Sequence, residues 1–283
     1  MILTGANGFI GSHLQKKLNC ITVDFTNSDY NGNLTDWNFV ESLPDANVVI
    51  HLAAFNSTKN FYTTPFDVLN SIITPTLNLI KKYPKAHFVY ASSCETYASL
   101  VNLKHCIIPT PENIPLAIED ITNPRWCYAS GKIAMESAII NHSLQYGNTY
   151  TILRPHNFYG PGQKNHFIPE FIDRLREGNY VLYGWKDTRS FCFIEDAVNV
   201  ISKIYLEKNQ IINIGSNEEV TILKVANIIM DILGIDRTKL KLEPGPEGST
   251  PRRMPDLTKL NSLISKFEYT NLYDGLKQCI EEN

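Results

Sequence analysis

Short apolar runs recur through the first half of the chain, each separated from the next by a segment whose apolar positions fall three or four residues apart. The runs are ILTG, ITVDF, NVVIHLAA, HFVYASS and YTILRP. Their length and β-branched content read as strands buried on both faces. The intervening spacing predicts helices over 9–18, 37–43, 66–82 and 125–146. Strand and helix in alternation give an α/β fold, a Rossmann-type doubly wound parallel sheet. After Arg154 the alternation loosens into helical patterns over 168–177, 196–206 and 222–233, with one isolated strand-like run, IINIG. Between Leu100 and Pro124 the pattern lapses around Pro109, Pro111, Pro115 and Pro124, a loop of the length that usually forms a lid or a binding surface. The later EPGPEGSTP stretch reads as a loop within a domain, not a linker.

The turn after the first strand, GANGFIG, spaces Gly5, Gly8 and Gly11 as G-x-x-G-x-x-G and opens a helix. Glycines there permit a tight turn and let backbone N–H groups at a helix N-terminus approach a pyrophosphate. The second strand ends at Asp24, where a carboxylate can accept the ribose hydroxyls of a dinucleotide and repel a 2′-phosphate. No Arg or Lys occurs in the following Phe25-Thr26-Asn27-Ser28. The pattern favours NAD over NADP and leaves NADP open.

Tyr128 and Lys132 are four residues apart on a predicted helix and share a face. Alone, such a pair is most often a solvated helix face. Beyond a dinucleotide turn it acquires chemistry, because an ammonium and a cationic nicotinamide would both stabilise a phenolate and bring a poor base toward neutrality.

Composition narrows the setting. The chain has 283 residues, 43% hydrophobic, enough for one large domain or two modest ones. Net charge is −3 with no basic block, so neither nucleic acid nor a membrane surface is an expected partner. The opening residues carry no leader pattern and no apolar run approaches the roughly 18 residues of a membrane span, which points to the cytoplasm. The six cysteines form no C-x-x-C pair and no ligand spacing with the seven histidines, so no metal site and no disulfide framework is expected.

Taken in order, GANGFIG, VIHLAA, YASSCETY, NPRWCYASGK, RPHNFYGP, TRSFCFIEDA and RRMPDLTK resemble the motifs of the extended short-chain dehydrogenases/reductases that act on nucleoside-diphosphate sugars. The resemblance covers most of the chain. It implies a dinucleotide-binding domain over 1–154 plus about 190–214, and a smaller α/β domain over about 155–189 plus 215–283 that holds the nucleotide sugar. It implies an epimerase/dehydratase-type enzyme that oxidises the sugar at C4, and a homodimer formed through the helix of Tyr128 and Lys132. By the resemblance, Ser93 bonds the reacting oxygen, Tyr128 takes the C4 hydroxyl proton, and Lys132 holds the ribose and tunes the tyrosine. Gly5, Gly8, Phe9, Ile10, Gly11, Asp24, Asn33, Leu34, Leu52, Ala53, Ala54, Pro155 and His156 fall where the cofactor is held. Asn157, Arg189 and one of Arg252 and Arg253 fall where the substrate and its diphosphate are held. Asn33-Leu34 lacks the acidic residue common before the adenine contact, Pro75 replaces a common glycine, and the chain is short for the family. Two other activities fit the same motifs, a 4-ketosugar reductase and a non-catalytic dinucleotide sensor.

Within YASSCETY, Ser92 reads as structural and Ser93 as the reacting hydroxyl. Dehydratases of the family often place Asp-Glu where this chain has Cys94-Glu95, so the Asp-type acid is missing. Glu95 reads either as a lone acid/base or as an ordinary exposed carboxylate. His51 reads as a satisfied core histidine, and His156 receives no catalytic step.

Overall fold

The computed structural model describes residues 1–56, 58–245, 249–265 and 267–282. Pro246, Glu247 and Gly248 of the proline- and glycine-rich loop lie outside the described residues. Seven strands form one parallel sheet: β1 (Ile2–Thr4), β2 (Ile21–Asp24), β3 (Tyr30–Asn31), β4 (Val48–His51), β5 (His87–Ala91), β6 (Tyr150–Pro155) and a final strand, Gln210–Ile214. Their order is Gln210–Ile214, β6, β5, β4, β1, β2, β3. The apolar runs are buried as expected, with every residue of β1 and β5 out of water. The run IINIG is not isolated: it pairs with β6 and closes that end of the sheet, Asn213 lying opposite Arg154.

Helices cover both faces. Pro65–Lys82 and Cys127–Tyr146 pack on one through Val68, Ile72, Leu79 and Ile139, while Leu14 of the first helix and Val198 and Ile201 of Ile194–Ile204 belong to the core on the other. The first helix ends at Leu14, short of the expected Leu18, its tail drawn into turns. Helices Thr58–Thr63, Ala98–Asn102, Thr258–Leu263 and Leu272–Glu281 carry no pattern long enough to have been read from the sequence.

The chain runs outward from β1 to β3 and then returns to place β4 beside β1. A crevice must open at the carboxyl ends of these two strands, the usual ligand position in such sheets. Two glycines shape it. Gly5 has φ +71°, and a Cβ there would lie 2.7 Å from the Ala53 nitrogen. A Cβ on Gly11 would lie 2.1 Å from the Gly5 carbonyl oxygen, so Gly11 serves the packing of helix on turn. Gly11→Ala should therefore destabilise the protein by about 3 kcal/mol through overpacking against backbone. The urea midpoint checks this; an unchanged midpoint would show that the turn yields.

The rest of the chain builds smaller sheets. Thr188–Ser190 pairs with Glu219–Thr221 and Arg252–Arg253, Val181–Tyr183 with Lys241–Glu243, and Phe158–Tyr159 with Cys192–Phe193. The loop over 100–124, expected as a lid or a binding surface, also acts as a buttress. Thr110 donates from its N–H to the Met254 carbonyl at 2.8 Å and accepts from the Asp256 N–H at 2.9 Å, which braces the strand Arg252–Arg253.

Candidate active site

Two cavities meet over the end of β4, sharing Leu52 and Ala54. One, of about 510 Å³, lies over the glycine turn and is lined by Gly5, Gly8, Asp24, Asn33, Leu34, Ala53 and Pro75. Asp24 caps it: Oδ2 accepts from the Asn7 N–H at 2.8 Å and Oδ1 from the Phe25 N–H at 2.7 Å. These bonds fix the carboxylate where it can also accept a diol. Among the described residues no lysine or arginine lines this cavity, and Asp67 adds a second carboxylate. The lining suits an adenosine ribose with free hydroxyls and opposes a 2′-phosphate. Asn7 and Phe25 were missed by sequence reasoning, although Asn7 stands inside the quoted glycine motif.

The other cavity, of about 380 Å³, gathers Phe9, Ile10, Ser93, Glu95, Tyr128, Lys132, Pro155, Asn157, Arg189 and Arg253. Residues from every part of the chain are thus brought to one place. Three expected residues lie elsewhere. Gly11 is buried beneath the turn. His156 does not reach the cavity: it is buried against the Tyr97 ring, and burial with Arg253 and Arg154 nearby holds its imidazole near 3, hence neutral. Arg252 turns outward to Glu219, with contacts of 2.6 and 2.7 Å, which leaves Arg253 as the arginine facing the cavity. His51 is a core histidine, bonded to Thr4 at 2.7 Å and Thr76 at 3.2 Å.

Ser93 follows β5 and caps the short turn Cys94–Tyr97, its hydroxyl accepting from the Glu95 N–H at 3.2 Å. Tyr128 opens the helix Cys127–Tyr146, its ring stacked on Phe61 at 5.4 Å. One turn on, the buried Lys132 ammonium donates to the Ala91 carbonyl at 2.6 Å and lies 5.5 Å from the Tyr128 ring centre. Burial sets the titration of both. It raises the Tyr128 phenol, the Glu95 carboxylate adds to the rise, and a hydrogen bond with Ser93 opposes it. It lowers Lys132 to about 7, against the pull of Glu136. Without the cationic nicotinamide that the spacing argument also invoked, burial outweighs the lysine and keeps the phenol protonated at neutral pH.

Glu95 is not an exposed carboxylate. Arg125 Nη2 approaches Oε2 at 2.8 Å and Arg253 Nη2 approaches Oε1 at 2.7 Å. Burial would raise its pKa, but Arg253, Arg125 and Arg189 together bring it to about 2. Its contribution to stability is full above the ordinary carboxylate value and is lost as pH falls toward 2. Cys94 is buried and its thiol raised, so it remains protonated. Arg125, three residues before Tyr128, keeps Nη1 buried without a hydrogen-bond partner.

The family model for the NAD-dependent epimerase/dehydratase family matches residues 1–215. The chain belongs to the NAD-dependent epimerase/dehydratase family. Full-length relatives agree with that assignment. A UDP-N-acetyl-alpha-D-glucosaminuronate decarboxylase of Bacillus cytotoxicus is 30% identical, with 99% of this chain and 96% of the relative covered. A putative UDP-glucose 4-epimerase of Methanocaldococcus jannaschii is 29% identical over 99% of this chain and 97% of its own length. Among solved structures, the UDP-glucose 4-epimerase of Thermotoga maritima with UDP-glucose superposes with a TM-score of 0.85 at 25% identity, covering 99% of this chain and 97% of that one.

As a member of the epimerase/dehydratase family the protein is an NAD-dependent enzyme, and the cavity at Asp24 has the lining for that cofactor. When bound, the cofactor would supply a reversible hydride acceptor. Phe61, which stacks on Tyr128, and Arg125, which holds Glu95, were not singled out in the sequence. Arg125 stood in the quoted NPRWCY motif, but a lone arginine reads as a surface charge until its burial is seen. Among the described residues no cluster of potential metal ligands occurs, and no helix is long and apolar enough to cross a membrane.

Proposed function

We propose that the protein is a decarboxylase of a nucleoside-diphosphate uronate, acting by transient oxidation at C4. The observation that carries this is Glu95, held between Arg125 and Arg253 with its carboxyl near 2. A dehydratase needs a free base to remove the C5 proton. Loss of CO₂ needs none, because the C5–C6 bond delivers its electron pair directly. In this reading Tyr128 accepts the C4 hydroxyl proton while Ser93 bonds that oxygen, and Lys132 donates to the ribose. Once C4 is a ketone, the C6 carboxylate is a β-keto acid. The C5–C6 bond then breaks with release of CO₂, the electrons enter the C4 enolate, and a proton returns to C5. Return of the hydride to C4 and of the proton from Tyr128 to its oxygen would restore the hydroxyl and the oxidised cofactor. Arg189 and Arg253, from the paired strands Thr188–Ser190 and Arg252–Arg253, suit the diphosphate. The relative from Bacillus cytotoxicus, named a uronate decarboxylase, supports the same reading.

A 4-epimerase is the second reading, since it too requires no C5 base and the Thermotoga structure shares the fold at 25% identity. A 4-ketosugar reductase would consume reduced cofactor stoichiometrically. The reading assigns the dinucleotide to 1–154 plus about 190–214 and the sugar nucleotide to the remainder. It also includes a cytoplasmic homodimer through Pro65–Lys82 and Cys127–Tyr146, whose Phe66, Leu77 and Leu144 are exposed.

Incubation with UDP-, dTDP-, GDP- and CDP-linked uronates and neutral sugars, followed by mass spectrometry and nicotinamide absorbance, separates these activities. Loss of CO₂ without net cofactor change is expected; an isomer of unchanged mass indicates an epimerase, and stoichiometric cofactor oxidation a reductase. Glu95→Gln should retain decarboxylation within about tenfold, whereas a 10²–10⁴-fold loss, the usual signature of a missing general base, would overturn the assignment.

A further inference from the structure

Glu136 lies one helical turn beyond Lys132, so the two side chains share a face of the helix Cys127–Tyr146. Its buried carboxylate accepts from Arg154 twice, at 2.9 Å from Nε and 2.6 Å from Nη2, and from the Ser92 hydroxyl. Arg154 is 2% exposed, and its Nη1 donates to the Tyr97 hydroxyl and to the Glu112 carbonyl. Neither Glu136 nor Arg154 lines either of the two cavities described.

A buried ion pair is a weak source of stability, because desolvation of both ions offsets their attraction. Its place beside Lys132 supplies a stronger reason for it. The lysine is buried at the edge of the cavity, its ammonium 4.7 Å from the Tyr90 ring of β5 and 5.5 Å from the Tyr128 ring. His51 of β4 is held neutral near 3 by burial and by Lys132 itself, and Tyr90 is pushed up by burial. Arg154 on β6 reaches the lysine's surroundings through the Glu136 carboxylate. Among the described residues Glu136 is the charge that favours the ammonium, against burial that brings Lys132 to about 7. A neutral amine would withdraw the nearby charge that favours the Tyr128 anion and leave it the Ser93 hydrogen bond. The Ser92 bond to Glu136 also fixes the end of β5, from which Ser93 points into the cavity.

We infer that Glu136, held by Arg154 and Ser92, is a positioning residue that keeps Lys132 an ammonium and sets the strand end carrying Ser93. The inference rests on the proposed pairing of Tyr128 with Lys132 in proton transfer. It gives the buried pair a task that two apolar side chains could not perform. Like-for-like replacement of shape should spare the fold and still change the lysine.

The test titrates Lys132 directly, by NMR of its Cε in lysine-labelled full-length protein, with Lys132→Arg identifying the signal. The parent chain is compared with the Glu136→Gln/Arg154→Met double variant, which removes both buried charges and strands neither. The lysine midpoint should fall by about one pH unit. At neutral pH kcat should fall about tenfold, with KM for the sugar nucleotide within about twofold. An unmoved midpoint, or kcat and KM lost together in proportion to the folded fraction, overturns the inference. Should the double variant fail to fold, Glu136→Gln alone gives the same reading with a larger fall, since Arg154 then acts unopposed. Failure of the parent chain to oxidise any sugar nucleotide would overturn the proposed function, and the lysine titration would still decide this inference separately.

Discussion

Tyr128→Phe should lower turnover by about 10³-fold or more while leaving dinucleotide affinity within about threefold. The substitution removes the hydroxyl and almost nothing else. The ring stays stacked on Phe61, and Lys132 keeps its bond to the Ala91 carbonyl. Uncatalysed removal of the C4 hydroxyl proton would then have to proceed without a base, since Glu95 is bound between two arginines and Cys94 holds a protonated thiol. Turnover against fluorescence titration of the dinucleotide measures the two effects separately. More than a tenth of parental activity would mean that another group takes the proton. The phenol's raised pKa adds a direction: as its anion forms with increasing pH, the parental rate should climb on the acid side of its profile.

The largest loss of stability away from the cavities is expected at Arg154. Arg154→Met alone leaves the Glu136 carboxylate buried with only Ser92 to bond it, and breaking a buried pair on one side costs about 3–5 kcal/mol. Glu136→Gln placed in the same chain removes the stranded charge, so the double variant should recover at least half of that loss. Urea denaturation of the three proteins measures both values. A loss below about 1 kcal/mol in the single variant would show that the carboxylate finds water or a proton more easily than its burial implies.

Much of this was legible in the sequence, for local reasons. β1, β2, β4, β5 and β6 announce themselves as short apolar runs, and GANGFIG, Ser93, Tyr128 and Lys132 stand in motifs whose spacing carries their geometry. β3 did not, because two polar residues make no pattern. The strand Gln210–Ile214 was visible but its partner was not, since pairing with β6 is decided across some sixty residues of intervening chain. The environment of Glu95 was hidden for the same reason: Arg125 and Arg253 arrive from a turn and a strand far away in sequence. Lys132 shows a different limit. Its spacing from Tyr128 was read correctly, but spacing says nothing of how dry the site is, and burial outweighs the charge. The bracing by the loop over 100–124 was not legible, because its prolines mark irregular backbone without showing what that backbone touches.

That last strand also links the chemistry to the assembly of the sheet. Asn213, opposite Arg154, donates its backbone N–H to the Glu112 carboxylate at 2.9 Å and a side-chain N–H to the Thr110 carbonyl at 2.9 Å, and accepts from the Tyr97 hydroxyl at 2.9 Å. Lifting Gln210–Ile214 would thus bare β6 as a raw edge and unmake the polar web around Arg154 in the same movement. Opening on that side would therefore lose the strand pairing and the polar web together, which ties the end of the sheet to the loop segment of Thr110 and Glu112.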